Sequence, residues 1–311
     1  MATAAPVSSA IDSEDVVFTK VTFWRRFRRH RLAVAGIVVL LVMLLGAVFA
    51  GQIAGVNPDV IDEAHWNGPA LPPCFVNSSQ CFGHVLGTDE VGRDEFSRLL
   101  YGARISITLA VTAVLMEITI GTLLGALAGY YGGIVDYLLM RVTDVFLSIP
   151  ILPLLLVLTG IVAAKSTKAA LGFGSIVLII GVLSWPTVAR LVRANFLTLR
   201  EREYVEAARA VGNGDARIIF RHILPNTVAP IVVQATLDVA NVIILESVLD
   251  FLGFGIQPPT PSWGNMLANS QANLEQAWWA AVFPGLCILA TTLAINFIGD
   301  GLRDALDPNM K

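Results

Sequence analysis

Catalysis needs a nucleophile, a base or a metal held at fixed spacing, and residues able to supply one are sparse here. The four histidines, His30, His65, His84 and His222, are scattered along the chain. Neither His-Glu-x-x-His nor Gly-x-Ser-x-Gly occurs, which removes the usual zinc- and serine-hydrolase arrangements. A phosphate-cradling loop needs lysine directly after glycine, and none of Lys20, Lys165, Lys168 and Lys311 follows one. The chain has no Walker A site and is not read as an enzyme. Cys74 and Cys81 stand close in sequence, with His65 and His84 nearby. A disulfide, two free thiols or a metal site are the alternatives, although the spacing matches no standard zinc pattern, and no metal is assigned. Cys287 falls in an apolar stretch and reads as a small core residue.

The elements that must position these residues are set by composition. Of 311 residues 55% are hydrophobic and only 14% charged, and the mean hydropathy is +0.68. A typical soluble protein has about 25% charged residues, so this chain is an all-α integral membrane protein. A hydrocarbon core of about 30 Å needs roughly 20 helical residues, and six segments qualify: Leu32–Ala50, Ile105–Gly129, Val145–Ala164, Phe173–Arg193, Thr227–Leu249 and Ala280–Gly299. No porin-like alternation is present. The net charge of −3 argues against a nucleic-acid partner.

Orientation follows from the placement of lysine and arginine. Six lie between Lys20 and Arg31, seven between Arg190 and Arg221, and Arg141, Arg303 and Lys311 join them. The opposite side holds Arg93, Arg98, Arg104, Lys165 and Lys168. Both termini are therefore expected in the cytoplasm, and the chain divides as follows. Residues 1–31 are a cytoplasmic tail with a basic flank, 32–50 a retained transmembrane anchor, and 51–104 an acidic extracytoplasmic loop. A five-helix core spans 105–300, and 301–311 form a cytoplasmic tail. The first span exceeds the ~7–15 apolar residues of a secretory signal, which is why it reads as retained.

The stretch 200–225 lies on the cytoplasmic side of the core. Helix formers dominate from Arg200 to Val211, Gly212 is placed to end that helix in the left-handed conformation, and Asn213-Gly214 turns the chain. Asp215 is expected to cap a second short helix, which Pro225 stops before the membrane is re-entered. Ala207, Ala208 and Ala210 leave one side nearly bare, so another protein's backbone can approach. An amphipathic connector lying on lipid headgroups is the competing reading.

At these residues the chain resembles the permease subunits of ABC importers. Glu206-Ala207-Ala208, Gly212 and Ile223-Leu224-Pro225 are similar to the family's EAA signature, with His222 at the usual isoleucine place as in the peptide/nickel branch. Gly87-Thr88-Asp89-Glu90-Val91-Gly92-Arg93-Asp94, Gly129-Tyr130-Tyr131-Gly132-Gly133, Phe251-Leu252-Gly253-Phe254-Gly255 and Gly299-Asp300-Gly301-Leu302-Arg303-Asp304 also resemble that branch, over roughly residues 20–311. The likeness is greatest to its dipeptide/oligopeptide "C" permeases. It implies a type I ABC importer permease fold in the bacterial cytoplasmic membrane and import of di- or oligopeptides, with nickel or another small ligand as the alternative cargo. It also implies a homologous second permease, two cytoplasmic ATPase subunits or domains that bind the ATP and magnesium, and an extracytoplasmic substrate-binding protein. The chain itself would hold no cofactor. By the same resemblance Tyr204, Glu206, Ala207, Ala208, Arg209, Gly212, Ile223, Leu224 and Pro225 form the ATPase-coupling site. Glu206 would pair with a basic group there, and Ala207 and Ala208 would enter a cleft.

Carboxylates inside apolar spans cost about 2.5–3.5 kcal/mol each and normally face protein or water. Glu117, Asp238 and Asn241 are the candidates for a solute pathway, and hydrogen-bonded helix contacts are the alternative; Glu246 and Asn296 are further polar residues within spans. Gly121, Gly125 and Gly129 at four-residue spacing allow close helix crossing. Pro150, Pro153 and Pro186 are expected to kink or end spans three and four. A secondary transporter is the rival class, but it predicts inverted repeats, and none is evident.

Overall fold

In the computed structural model the described residues are 24–165 and 172–306. Expectations for the N-terminal tail before residue 24, for Lys168 and for Lys311 lie outside them. Among the described residues, nine helices of seven residues or more carry the fold: α1 (Arg31–Val48), α2 (Glu95–Tyr131), α3 (Gly133–Ser148), α4 (Ile151–Lys165), α5 (Phe173–Leu199), α6 (Glu203–Ala210), α7 (Leu224–Phe251), α8 (Trp263–Asn269) and α9 (Trp279–Leu306).

Five helical segments are long and apolar enough to cross a bilayer alone. The expected third span, Val145–Ala164, is not one helix. It is divided between α3 and α4, which together are apolar enough to span but meet at 87°. Pro150 accounts for the break: it lacks an N–H and disfavours helical geometry in the residue before it, and Ile149 is extended at φ −95°, ψ 127°. Pro186 does not end its span but sits inside α5. The second span begins at Glu95 rather than Ile105, so Arg98 and Arg104 are helical and the five-helix core starts ten residues before its expected boundary.

The tightest packing joins α2 and α5. A Cβ on Gly121, Gly125 or Gly129 would lie 2.8, 2.4 and 2.8 Å from the carbonyl oxygens of Trp185, Ala189 and Arg193. These three glycines therefore let two backbones touch. The anchor α1 packs in the same manner on α9, where a Cβ on Gly36 would lie 2.5 Å from the Ala294 oxygen. Its opposite face exposes Val38, Leu41, Val42 and Leu45, the surface that lipid would cover.

The segment before α2 is tied down by charge. Asp94 caps α2 at the Ser97 amide (2.7 Å), and Arg93 Nε donates to Asp89 Oδ2 (2.7 Å) beside the buried Arg98. Trp279 at the head of α9 donates its indole N–H to the Thr88 carbonyl at 3.0 Å. Cys74 and Cys81 are joined as a disulfide, with Cα atoms 4.9 Å apart. The two histidines near them face carboxylates: His65 meets Asp62 at 2.9 Å, and His84 lies between Asp62 (3.2 Å) and Asp94 (2.8 Å). Among the described residues no cluster could hold a metal ion.

Burial pushes the Asp62 carboxyl up, but hydrogen bonds from His65 and His84 outweigh it and hold the group below its ordinary value. Because the unfolded chain then binds the proton more readily, Asp62 adds stability above the unfolded value of about 3.9 and loses it as pH falls through the folded value. Thermal midpoints of the purified chain between pH 6 and pH 3 are expected to drop less steeply in Asp62→Asn than in the wild type. Parallel curves would contradict the assignment.

Candidate functional site

The hairpin at 203–225 is built by short-range rules. In α6 the Gly212 N–H donates to the Arg209 carbonyl (3.0 Å) and the Asn213 N–H to the Ala208 carbonyl (3.2 Å). This is the Schellman arrangement that a left-handed residue closes. Gly212 has φ +86°, a value glycine adopts without strain. Two expectations fail here. Asp215 does not cap the second arm, because Gly214 occupies the cap position. Asp215 instead accepts a hydrogen bond from Tyr130 Oη at 2.7 Å.

Nor does Pro225 stop the helix. The chain runs helically from Asp215 to Phe251, and the turns at Ile218–Ile223 widen to π geometry just before the proline. Widening accommodates a residue that offers no N–H to the preceding turn. The second arm is thus one rod with α7.

The candidate coupling residues separate by exposure. Tyr204, Glu206, Ala207, Arg209, Gly212 and Pro225 are exposed. Ala208 is buried beside Val205 and faces its own chain, so only Ala207 and Ala210 keep the bare side available. Ile223 is fully buried and Leu224 half-buried, in a cluster with Val205, Ile218, Phe196 and Tyr130. They root the hairpin rather than present it.

Within the membrane region a cavity of about 440 Å³ brings the pathway candidates together. Glu117 of α2 and Asp238 of α7 are both buried, with their carboxyls in hydrogen-bonding reach of each other. Gln234 donates to Asp238 at 2.9 Å, and Asn241 also reaches it. The wall opposite comes from the break between α3 and α4, through Leu147, Ile149 and Pro150, and from Ser184 and Thr187 of α5. Non-helical backbone at this depth is tolerated where it lines a cavity. The break expected at Pro150 opens onto Glu117 and Asp238, a relation between separate helices that no single segment encodes.

A second buried polar cluster was not recognised in the sequence as a unit. Asp250, at the outer end of α7, accepts from the Ser262 hydroxyl and the Ile256 amide, and Glu246 lies within reach of it and of Ser106 on α2 (3.3 Å). Ser262 and Asn265 form a capping box that starts α8, whose Trp263 is fully buried and bonds Leu99 at 3.1 Å. A Cβ on Gly255 would lie 1.5 Å from Asp250 Oδ1, so only glycine permits this loop. Gly255, Ser262 and Gly264 all converge on Asp250.

Residues 121–311 match the family described as "Binding-protein-dependent transport system inner membrane component", and residues 21–73 match the "N-terminal TM domain of oligopeptide transport permease C". This chain belongs to the binding-protein-dependent transport permeases. A di/tripeptide transport system permease protein, DppC, of Pseudomonas aeruginosa is 40% identical over 93% of this permease and 92% of its own length. A glutathione transport system permease protein, GsiD, of Escherichia coli is 43% identical over 93% of this permease and 90% of its own length. The solved inward-facing MetNI methionine ABC transporter covers 66% of the permease and 95% of the matched chain, with a TM-score of 0.54 at 19% identity, which supports the fold alone.

Membership makes the permease a non-catalytic, multi-pass membrane subunit of a bacterial ABC importer. It also implies ATPase and binding-protein partners.

Proposed function

We propose that this permease forms half of the translocation path of an ATP-driven importer of di- and oligopeptides. Its companions are a homologous second permease, two cytoplasmic ATPase subunits or domains that hold ATP and magnesium, and an extracytoplasmic substrate-binding protein. The observation that carries this reading is the continuity of the hairpin's second arm with α7. A push on exposed Glu206 and Ala207 is delivered to the helix that bears Asp238 and Asn241. A continuous helix carries such a displacement into the membrane region, whereas a loop would absorb it. The peptide-permease relatives support the cargo.

The cavity suits a peptide's polar backbone. The Glu117–Asp238 pair supplies negative charge for an amino terminus, and Asn241 supplies an amide donor and acceptor. A charge-assisted hydrogen bond is worth about 1.5–3 kcal/mol net. In proteoliposomes holding the complete complex, Asp238→Asn is expected to cut ATP-dependent uptake of a free dipeptide roughly tenfold. Uptake of its N-acetylated analogue should change little. Equal losses for both peptides would remove Asp238 from the pathway, and uptake of neither by the wild-type complex would reject peptides as cargo.

A further inference from the structure

The Gly129-Tyr130-Tyr131-Gly132-Gly133 segment, which the sequence singles out without a role, sits where three elements meet. Tyr130 lies in the last turn of α2 with its ring buried against the cluster of Phe196 from α5, Val205 from the first arm, and Ile218 and Ile223 from the second. Its hydroxyl donates to Asp215 Oδ1 of the second arm at 2.7 Å, and Arg209 of the first arm reaches that tyrosine hydroxyl. Arg200, just past α5, donates to the Gly129 carbonyl at 3.0 Å and so closes the end of α2. Gly132 turns the chain away at φ +65°, where a Cβ would lie 2.9 Å from the Arg200 guanidinium. The backbone here is shaped to deliver one hydroxyl between the two arms.

We propose that Tyr130 is a positioning residue for energy coupling. Its hydroxyl ties both arms of the hairpin to the cytoplasmic end of α2, so that displacement of the hairpin carries α2, α5 and α7 as one body. The inference rests on the coupling role proposed above for the hairpin. Apolar contacts within the cluster resist separation but permit sliding, because dispersion and burial are non-directional. A hydrogen bond to a carboxylate, flanked by a guanidinium, fixes the angle between the arms. Since α2 carries Glu117 and α7 carries Asp238, a loose arm would let the two walls of the cavity move out of step.

Tyr130→Phe keeps the ring and removes only the hydroxyl. In proteoliposomes holding the complete complex, the peptide moved per ATP hydrolysed is expected to fall about fivefold to tenfold, the low end of coupling between sites. Recovery of the ATPase subunits with the permease should stay unchanged. Asp215→Ala is expected to match it, and the double variant should be no worse than either single one, because both remove the same contact. A wild-type peptide-to-ATP ratio in Tyr130→Phe, or losses that add in the double variant, would overturn the assignment. Glu206→Ala, measured alongside, separates the two readings. If it too keeps full transport, the hairpin's role is at fault, whereas an uncoupled Glu206→Ala beside an unaffected Tyr130→Phe rejects the tyrosine alone.

Discussion

Glu206→Ala is expected to abolish most transport while leaving the permease folded and inserted. Glu206 is exposed in the first turn of α6, on a surface aimed into the cytosol, so its removal leaves no hole in the chain's own packing. Truncating one partner of a close interfacial charge pair costs about 2–5 kcal/mol, which corresponds to a loss of about thirtyfold or more in ATPase binding. Gly212→Val attacks the same handle through the backbone. Nothing lies within 4 Å of the added Cβ, so the whole effect comes from φ +86°, a conformation that costs a branched residue about 1–2 kcal/mol. The measurement is ATPase subunit recovery with the permease, together with ATP-driven peptide uptake. Full uptake by Glu206→Ala would end the coupling assignment.

Gly125→Leu is expected to be the most damaging single change within the membrane. A Cβ there would stand 2.4 Å from the Ala189 carbonyl oxygen and 2.9 Å from the Val192 Cβ, and both belong to α5. Neither can move without parting the two helices. Overpacking by a methylene or two costs about 1–3 kcal/mol, and a whole isobutyl group between touching backbones costs more than the upper figure. Gly285→Leu in α9 is the control, since nothing lies within 4 Å of its added Cβ. Thermal midpoints in detergent should fall sharply for the first and hardly for the second. Similar midpoints would mean that α2 and α5 do not meet at these glycines.

Helix-length apolar runs made the spans legible, because a bilayer imposes one length on any helix that crosses it. The helix end at Gly212 was legible for a similar reason, since a left-handed residue after a run of helix formers is a local requirement. Asp215 takes a different role from the cap expected of it because its partner is far away in sequence. Tyr130 claims the Asp215 carboxylate from 85 residues earlier, and the hairpin's own core claims Ala208. Pro225 was read as a stop because the compensating π turns before it leave no mark in composition.

Sequence alone therefore determined the class of protein and the helix end at Gly212, since each follows from the chain's local chemistry and the solvent around it. Only the tertiary structure decided that the third span breaks onto a cavity, that Glu117 and Asp238 face each other there, and that the handle is one rod with α7. Those relations join residues on different helices. Contacts between rods depend on how the rods are rotated and where small residues let them approach, and no single segment carries that information.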